Sequence, residues 1–217
     1  MKRCIIIANG KSPTKKVVDY FIEKGFSTIF CADGGANSAK KIGITPNFII
    51  GDLDSVDTST LKYFKSKSTI IKNKKQNNTD VEKCLKFAIR KKYDEAVLLG
   101  VTGNRLDHTI GNLGIVLKFF KKIKTHIVAE NSFLTPYNNF ISLSSKEGET
   151  ISIYAFDNKT SITSNGLKYP LKNSKLPFGI KESTSNVSIS SLIELKINGG
   201  IVFVIRDFNF VKKHDFV

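Results

Sequence analysis

No tryptophan occurs in the 217 residues, and there is only one methionine and three cysteines, Cys4, Cys31 and Cys84. The cysteines show no C-x-x-C spacing and cannot all pair, which argues against a disulfide framework and against a zinc knuckle. They read as reduced core thiols. Long apolar runs are also missing. Runs such as 4–8 and 96–99 fall far below the roughly 18 to 20 residues that span a bilayer, which excludes a transmembrane helix. Lys2 and Arg3 imitate the start of a secretory signal, but the apolar stretch behind them stops at Asn9-Gly10. A signal core needs roughly 7 to 15 residues, so a cytoplasmic protein is expected.

Acidic residues are in deficit, 19 Asp+Glu against 34 Lys+Arg, for a net charge of +15. Positive charge attracts nucleic acid, anionic membrane and phosphorylated small molecules alike, so it selects none of them. Arginine is scarce too: Arg3, Arg90, Arg105 and Arg206 are the whole set. The remaining cations are lysines, point charges poorly suited to reading base edges. Their clusters at 72–75, 90–92 and 121–124 fall in turns and at helix ends, where solvated lysine is ordinary.

What is present is 41% hydrophobic sequence, enough for a folded protein rather than a disordered tail. Up to about residue 130, short apolar runs at 3–8, 28–32, 48–50, 69–71, 96–101 and 126–129 alternate with amphipathic stretches at 13–24, 36–42, 58–65, 80–91 and 107–120. This is the pattern of a parallel sheet with crossover helices, its strands covered on both faces. Beyond residue 131, Ile141 and Leu143, Ile151, Ile153 and Ala155, Val187 and Ile189, and Ile193, Leu195 and Ile197 alternate with polar residues between closely spaced turns. That texture predicts an antiparallel β-sandwich. The fold class expected is therefore α/β, a Rossmann-like parallel sheet with flanking helices over 1–130, followed by a β-sandwich over 131–217.

Four stretches at strand ends carry candidate chemistry. Asp33-Gly34-Gly35-Ala36-Asn37 follows a strand and opens a helix; backbone N–H groups and close glycine approach favour phosphate there, although a plain tight turn fits as well. In Gly51-Asp52-Leu53-Asp54-Ser55 a buried strand delivers two carboxylates with one residue between them. If the chain stays extended they point the same way, which is costly without a cation, and Mg²⁺ suits such oxygen donors. The plainer alternative is that Asp54 or Asp57 caps the next helix. Thr79 and Glu82 form a capping-box pattern, while Asp80 and Lys83, three apart, share a helix face. In Gly103-Asn104-Arg105-Leu106-Asp107-His108 the glycine frees the backbone, Arg105 offers a planar fork for phosphate or carboxylate, and Asp107 suits a cap, a ligand or a base. His108 is expected to be structural.

Together, DGGAN, GDLDS, NNTDVEKC and GVTGNRLDH, in that order, resemble the thiamine pyrophosphokinase family. The resemblance extends to Gly166-Leu167-Lys168-Tyr169-Pro170-Leu171, Pro177-Phe178-Gly179 and Ser183-Thr184-Ser185-Asn186, with Tyr169 standing where some members carry tryptophan. It implies transfer of the β,γ-pyrophosphoryl group of ATP to the thiamine hydroxyl, giving thiamine diphosphate and AMP. It also implies a homodimer, with thiamine between the first domain of one subunit and the second domain of the other. Asp52, Asp54 and Asp80 would hold Mg²⁺; Lys83 and Arg105 would balance charge on the transferring group; Asp107 would lie near the attacking hydroxyl. Asp33, Gly34, Gly35, Asn37, Gln76, Thr79 and Gly103 would contact ATP, and Ser183, Ser185 and Asn186 would meet thiamine. Two other readings compete. An apolar strand ending in Asp-x-Asp also presents the nucleophile of aspartyl-phosphate phosphatases, which would make Asp52 covalent. The net charge would suit a nucleic-acid-binding module only if basic residues shared a face with exposed aromatics, whereas the 16 phenylalanines mostly occupy periodic core positions. Neither a nucleic-acid partner nor a membrane is expected.

Overall fold

Strands that are apolar on both faces need cover on both faces, and the chain supplies it with a helix after nearly every strand. The structure is a computed structural model that describes residues 1–73, 77–103 and 105–216. The chain divides into two compact units, Met1–Ala129 and Glu130–Val217. The first contains β1 (Arg3–Ile7), α1 (Lys15–Glu23), β2 (Thr28–Ala32), α2 (Gly35–Lys41), β3 (Phe48–Gly51), α3 (Thr58–Phe64), β4 (Thr69–Lys72), α4 (Asp80–Arg90), β5 (Glu95–Leu99), α5 (Leu106–Phe119) and β6 (Lys124–Ala129). Every expected strand and helix of this unit is present, with ends moved by a residue or two.

The strands lie in the order β6-β5-β1-β2-β3-β4, and each neighbouring pair is parallel. From β1 the chain builds toward β4 on one side, then crosses to place β5 on the other. The crevice outside the carboxyl ends of β1 and β5 is thus a topological switch point, where open α/β sheets take ligands. Helix α4 buries Val81, Cys84, Leu85 and Ala88 on the stripe that its spacing predicts. Thr79 caps it, accepting from Glu82 N–H at 3.3 Å. The reciprocal half of the capping box is not made, because lysines take the Glu82 carboxylate instead. Its Oε1 lies 2.8 Å from Lys86 Nζ and 2.7 Å from Lys118 Nζ, and the second of these ties α4 to α5.

At the amino ends of three strands, Glu95 is buried between two cations, Arg3 and Lys124, and the His126 imidazole, whose own burial disfavours its charged form. Arg3 Nε is 2.8 Å, Lys124 Nζ 2.7 Å and His126 Nε2 2.9 Å from its carboxylate oxygens. Burial alone would push this carboxyl up, but His126 and Lys124 outweigh it and hold it down at about 2.

The second unit contains β7 (Ser132–Ser144), β8 (Thr150–Ala155), β9 (Ser161–Asn165), β10 (Ser174–Lys175), β11 (Ser183–Val187), β12 (Leu192–Asp207) and α6 (Phe208–Lys213). β7 and β12 pair antiparallel along their length, with a register shift between Ile197 and Val202. Asn198-Gly199-Gly200 supplies that bend, and Gly199 has φ +90. Before the bend β12 also pairs β9; after it, β12 pairs β8. β10 extends the first layer and β11 the second. Long strands that change layer at a bend make a sandwich corner, and Ile151, Ile153, Ile162, Leu195 and Val204 from the two layers share one core.

Two features depart from expectation. Ile189 lies beyond β11 and is exposed, because its N–H is drawn to Gly166 O at 2.9 Å. Helix α6 was not anticipated; Asp207 caps it through Phe210 N–H at 2.7 Å, and Phe208 and Val211, three apart, are buried. No helix among the described residues is long and apolar enough to cross a membrane.

A carboxyl depressed by folding stabilises the native state fully above its unfolded pKa and loses that contribution as pH falls through the folded value. The urea midpoint of the protein should therefore fall between pH 4.5 and about 2. Glu95→Gln should lower the midpoint at neutral pH and flatten that slope; identical slopes in the two proteins would remove Glu95 as its source.

Candidate active site at the carboxyl edge of the parallel sheet

β3 ends at Gly51, where a Cβ would lie 2.7 Å from Asp33 Cβ; glycine lets the ends of β2 and β3 close to this distance. Asp33 is held at φ +46 and is buried. Its Oδ2 accepts from Ser55 N–H at 3.1 Å, while Oδ1 is buried with no hydrogen-bond partner. Asp33, Asp52 and Asp80 each present an oxygen, all within 4.8 Å of one another. Lys83, whose side chain is 3% exposed, places Nζ 2.7 Å from Asp80 Oδ1 and 3.8 Å from Asp52 Oδ2. Burial pushes the Asp33 carboxyl up; Ser55 opposes the shift, and the charges of Asp80 and Asp54 add to it. Three oxygens with one ammonium, and one oxygen left without a donor, form a place for a hard cation.

This trio is not the set expected from the Asp-x-Asp spacing. Leu53 has φ +69, so the chain is not extended there; the Asp54 carboxyl stays close to those of Asp52 and Asp33 but is not one of the three that converge. Asp54 is exposed and accepts from Ser55 Oγ at 3.0 Å, and this bond leads in holding its carboxyl below the usual range. Nor does Asp57 cap α3 with its side chain. Asn37 donates from Nδ2 to Ser55 O at 2.9 Å and accepts at Oδ1 from Asp57 N–H at 3.1 Å.

The glycines of the DGGAN turn act through packing. A Cβ on Gly35 would collide with Ile7 O, and one on Gly34 with the Asn9 side chain. The loop after β1, which sequence reasoning passed over, is joined to the loop after β5: Gly10 N–H donates to Gly100 O and Lys11 N–H to Thr102 O, both at 2.7 Å. Asn-Gly directly after a buried strand was its available signal. Gly103, at φ +151, lets that second loop close on Lys11. Arg105 and Asp107 are both exposed and pair with each other, Nε to Oδ1 at 3.0 Å. Arg105 thereby holds the Asp107 carboxyl well below the usual range. His108 is exposed rather than packed. Gln76 and Asn104 lie outside the described residues.

In the second unit, Ser183 is buried and accepts from Asn186 Nδ2 at 3.3 Å. Asn186 is buried too, and its amide holds the Gly166-Tyr169 loop, accepting from Tyr169 N–H at 3.1 Å and donating to Tyr169 O at 2.8 Å. Ser185, at φ +54, is exposed and donates its N–H to Ser152 Oγ at 2.9 Å. The Tyr169 ring is left exposed.

A doubly wound sheet that carries an acidic cluster and a buried ammonium at its carboxyl edge has the parts that metal-assisted phosphoryl transfer uses. Residues 21–129 match the family model "Thiamin pyrophosphokinase, catalytic domain", and residues 138–202 match "Thiamin pyrophosphokinase, vitamin B1 binding domain". The chain is 30% identical to thiamine pyrophosphokinase 3 of Oryza sativa subsp. japonica over 186 residues, covering 72% of this chain and 69% of that one. It is 29% identical to thiamin pyrophosphokinase 1 of Caenorhabditis elegans, covering 78% and 74%. The solved thiamin pyrophosphokinase of Geobacillus thermodenitrificans superposes with a TM-score of 0.79 at 25% identity, covering 95% and 97%. The chain belongs to the thiamin pyrophosphokinase family, and it is an enzyme of that activity. These relationships favour neither the aspartyl-phosphate reading nor the nucleic-acid reading.

Asn186→Ala should cost about 1 to 3 kcal/mol, the penalty for leaving the Tyr169 backbone groups unpaired. The loss should be visible as a lower urea midpoint with faster amide exchange across the Gly166-Tyr169 loop; unchanged exchange there would show that other groups hold the loop.

Proposed function

We propose that the chain transfers the β,γ-pyrophosphoryl group of ATP to the hydroxyl of thiamine, releasing thiamine diphosphate and AMP. The observation that carries this reading is the convergence of Asp33, Asp52 and Asp80 around Lys83, with Asp33 Oδ1 buried and unpartnered. The donors are all hard oxygens, which fits Mg²⁺. Asp52 and Asp80 would hold it, with Asp54 at the exposed rim and Asp33 behind; when bound, Mg²⁺ supplies positive charge to the phosphate oxygens.

Transfer of this kind asks the protein for positioning and neutralisation more than for covalent chemistry. Lys83 is oriented by Asp80 and Asp52 and presents an ammonium beside the transferring group. Arg105 adds a second cation. Asp107 lies near the acceptor hydroxyl; ionised and paired with Arg105, it is a weak base, and its role is to orient the hydroxyl. The Gly34-Gly35 turn and Gly103 bring backbone close to the phosphates of ATP, and Gln76 and Thr79, from the stretch of sequence before α4, would contact the nucleotide. Thiamine is met by Ser183, Ser185 and Asn186, within the stretch that matches the vitamin B1 binding model. Asn186 would act by shaping the loop of Tyr169. The working form is a homodimer in which the second unit of one copy meets the vitamin held by the other. Three free, buried thiols suit a reducing compartment such as the cytoplasm.

Incubation with thiamine, ATP and Mg²⁺, with and without chelator, tests the reading by chromatography of nucleotides and thiamine phosphates. AMP and thiamine diphosphate should appear in equal amounts and vanish on chelation; ADP with thiamine monophosphate, or no thiamine product, would refute it. Asp52→Asn should reduce turnover by about 100-fold or more with the fold retained. A phosphorylated Asp52 during turnover would instead revive the covalent route.

A further inference from the structure

The carboxylates of the acidic site come from different elements, so their spacing depends on whatever fixes the loop after β3. That loop leaves Gly51, turns through Leu53 at φ +69 and enters α3 after Asp57. Three hydrogen bonds hold it to the turn and first helical residues after β2. Ser55 N–H donates to Asp33 Oδ2 at 3.1 Å, Asn37 Nδ2 donates to Ser55 O at 2.9 Å, and Asp57 N–H donates to Asn37 Oδ1 at 3.1 Å. Two of the three belong to one amide.

We propose that Asn37 is a positioning residue of the acidic site: its amide sets the loop backbone that aims Asp52 at Asp33 and Asp80. Both ends of the amide are committed to the loop, so Asn37 acts through Asp52 rather than by gripping nucleotide. Asp33 joins the two functions: its Oδ2 fixes Ser55, and its carboxylate belongs to the cluster with Asp52 and Asp80. The inference rests on the metal reading above. Groups that orient ligands from behind typically contribute about 10- to 100-fold to metal affinity.

Mn²⁺, titrated into the nucleotide-free protein and followed by electron paramagnetic resonance, is the probe. Asn37→Ala should bind it about 10-fold or more weakly, raise the Mg²⁺ needed for half-maximal turnover, and leave kcat at saturating Mg²⁺ and KM for thiamine near those of the parent. Asp57→Pro provides a second route if the alanine variant does not fold. Asp57 has φ −59, which proline adopts, and proline removes the N–H that Asn37 accepts. Asp57→Pro should weaken Mn²⁺ in the same direction, whereas Asp57→Ala, which keeps the N–H, should match the parent. Unchanged Mn²⁺ affinity with weaker binding of ATP in chelator would make Asn37 a nucleotide contact. Unchanged Mn²⁺ affinity with only a lower urea midpoint would make it a purely structural residue, and equal losses in both Asp57 variants would implicate the carboxylate; each overturns the proposal. If the parent protein binds no Mn²⁺, the metal reading itself falls, and this inference with it.

Discussion

Three carboxylates brought within 4.8 Å of one another repel, and the cost grows as water is excluded from around them. The parallel unit meets this constraint with one buried ammonium and with backbone donors. Lys83 reaches two of the three from the first turn of α4, and Ser55 N–H satisfies one oxygen of the third. What remains is an excess of negative charge and, at Asp33, one buried oxygen without a donor, which suits the proposed cation.

The architecture around the site is mainly backbone approach. Parallel strands end at nearly the same level, so the loops that follow them crowd together, and side chains must be absent where they meet. Gly35 lies against β1, Gly51 against Asp33, and Gly10 against the loop after β5. Between them they allow the loops after four strands to share one small region. The Glu95 cluster at the amino ends of β1, β5 and β6 makes the opposite use of polar groups, with one buried carboxylate approached from three sides by Arg3, Lys124 and His126.

Much of this is legible in the sequence because burial on both faces leaves unmistakable apolar runs, and a loop rich in Asp and Gly directly after such a run has few structural reasons to exist. Placing Asp33, Asp52, Asp80 and Lys83 near one another needed only the order of elements. Which carboxylates converge was not legible: Asp33, buried at φ +46 in a glycine turn, takes the third place rather than Asp54. Asn186 is among the residues the resemblance assigns to thiamine, but its burial and its hold on the Tyr169 loop were not legible, because it stands among serines and lies at the register shift of β11. The loop after β1 was missed because Asn9-Gly10 reads equally well as an ordinary strand end.

The bend in β12 has a consequence for the order in which the molecule is made. Before the bend the strand completes one layer with β9, and after it the other with β8, while β7 runs beside it throughout. Neither layer can close until residues 192–207 have left the ribosome. Until then β8 can pair only with β11 and β9 only with β10, and β7, which ends at Ser144, lacks the strand it pairs along its length; the wait lasts several seconds at ordinary elongation rates of about 5 to 20 residues per second. The parallel unit has all six of its strands by residue 129 and carries no such delay. Synthesis thus exposes the antiparallel half of the chain, more than the catalytic half, to the chaperones that shield nascent polypeptides.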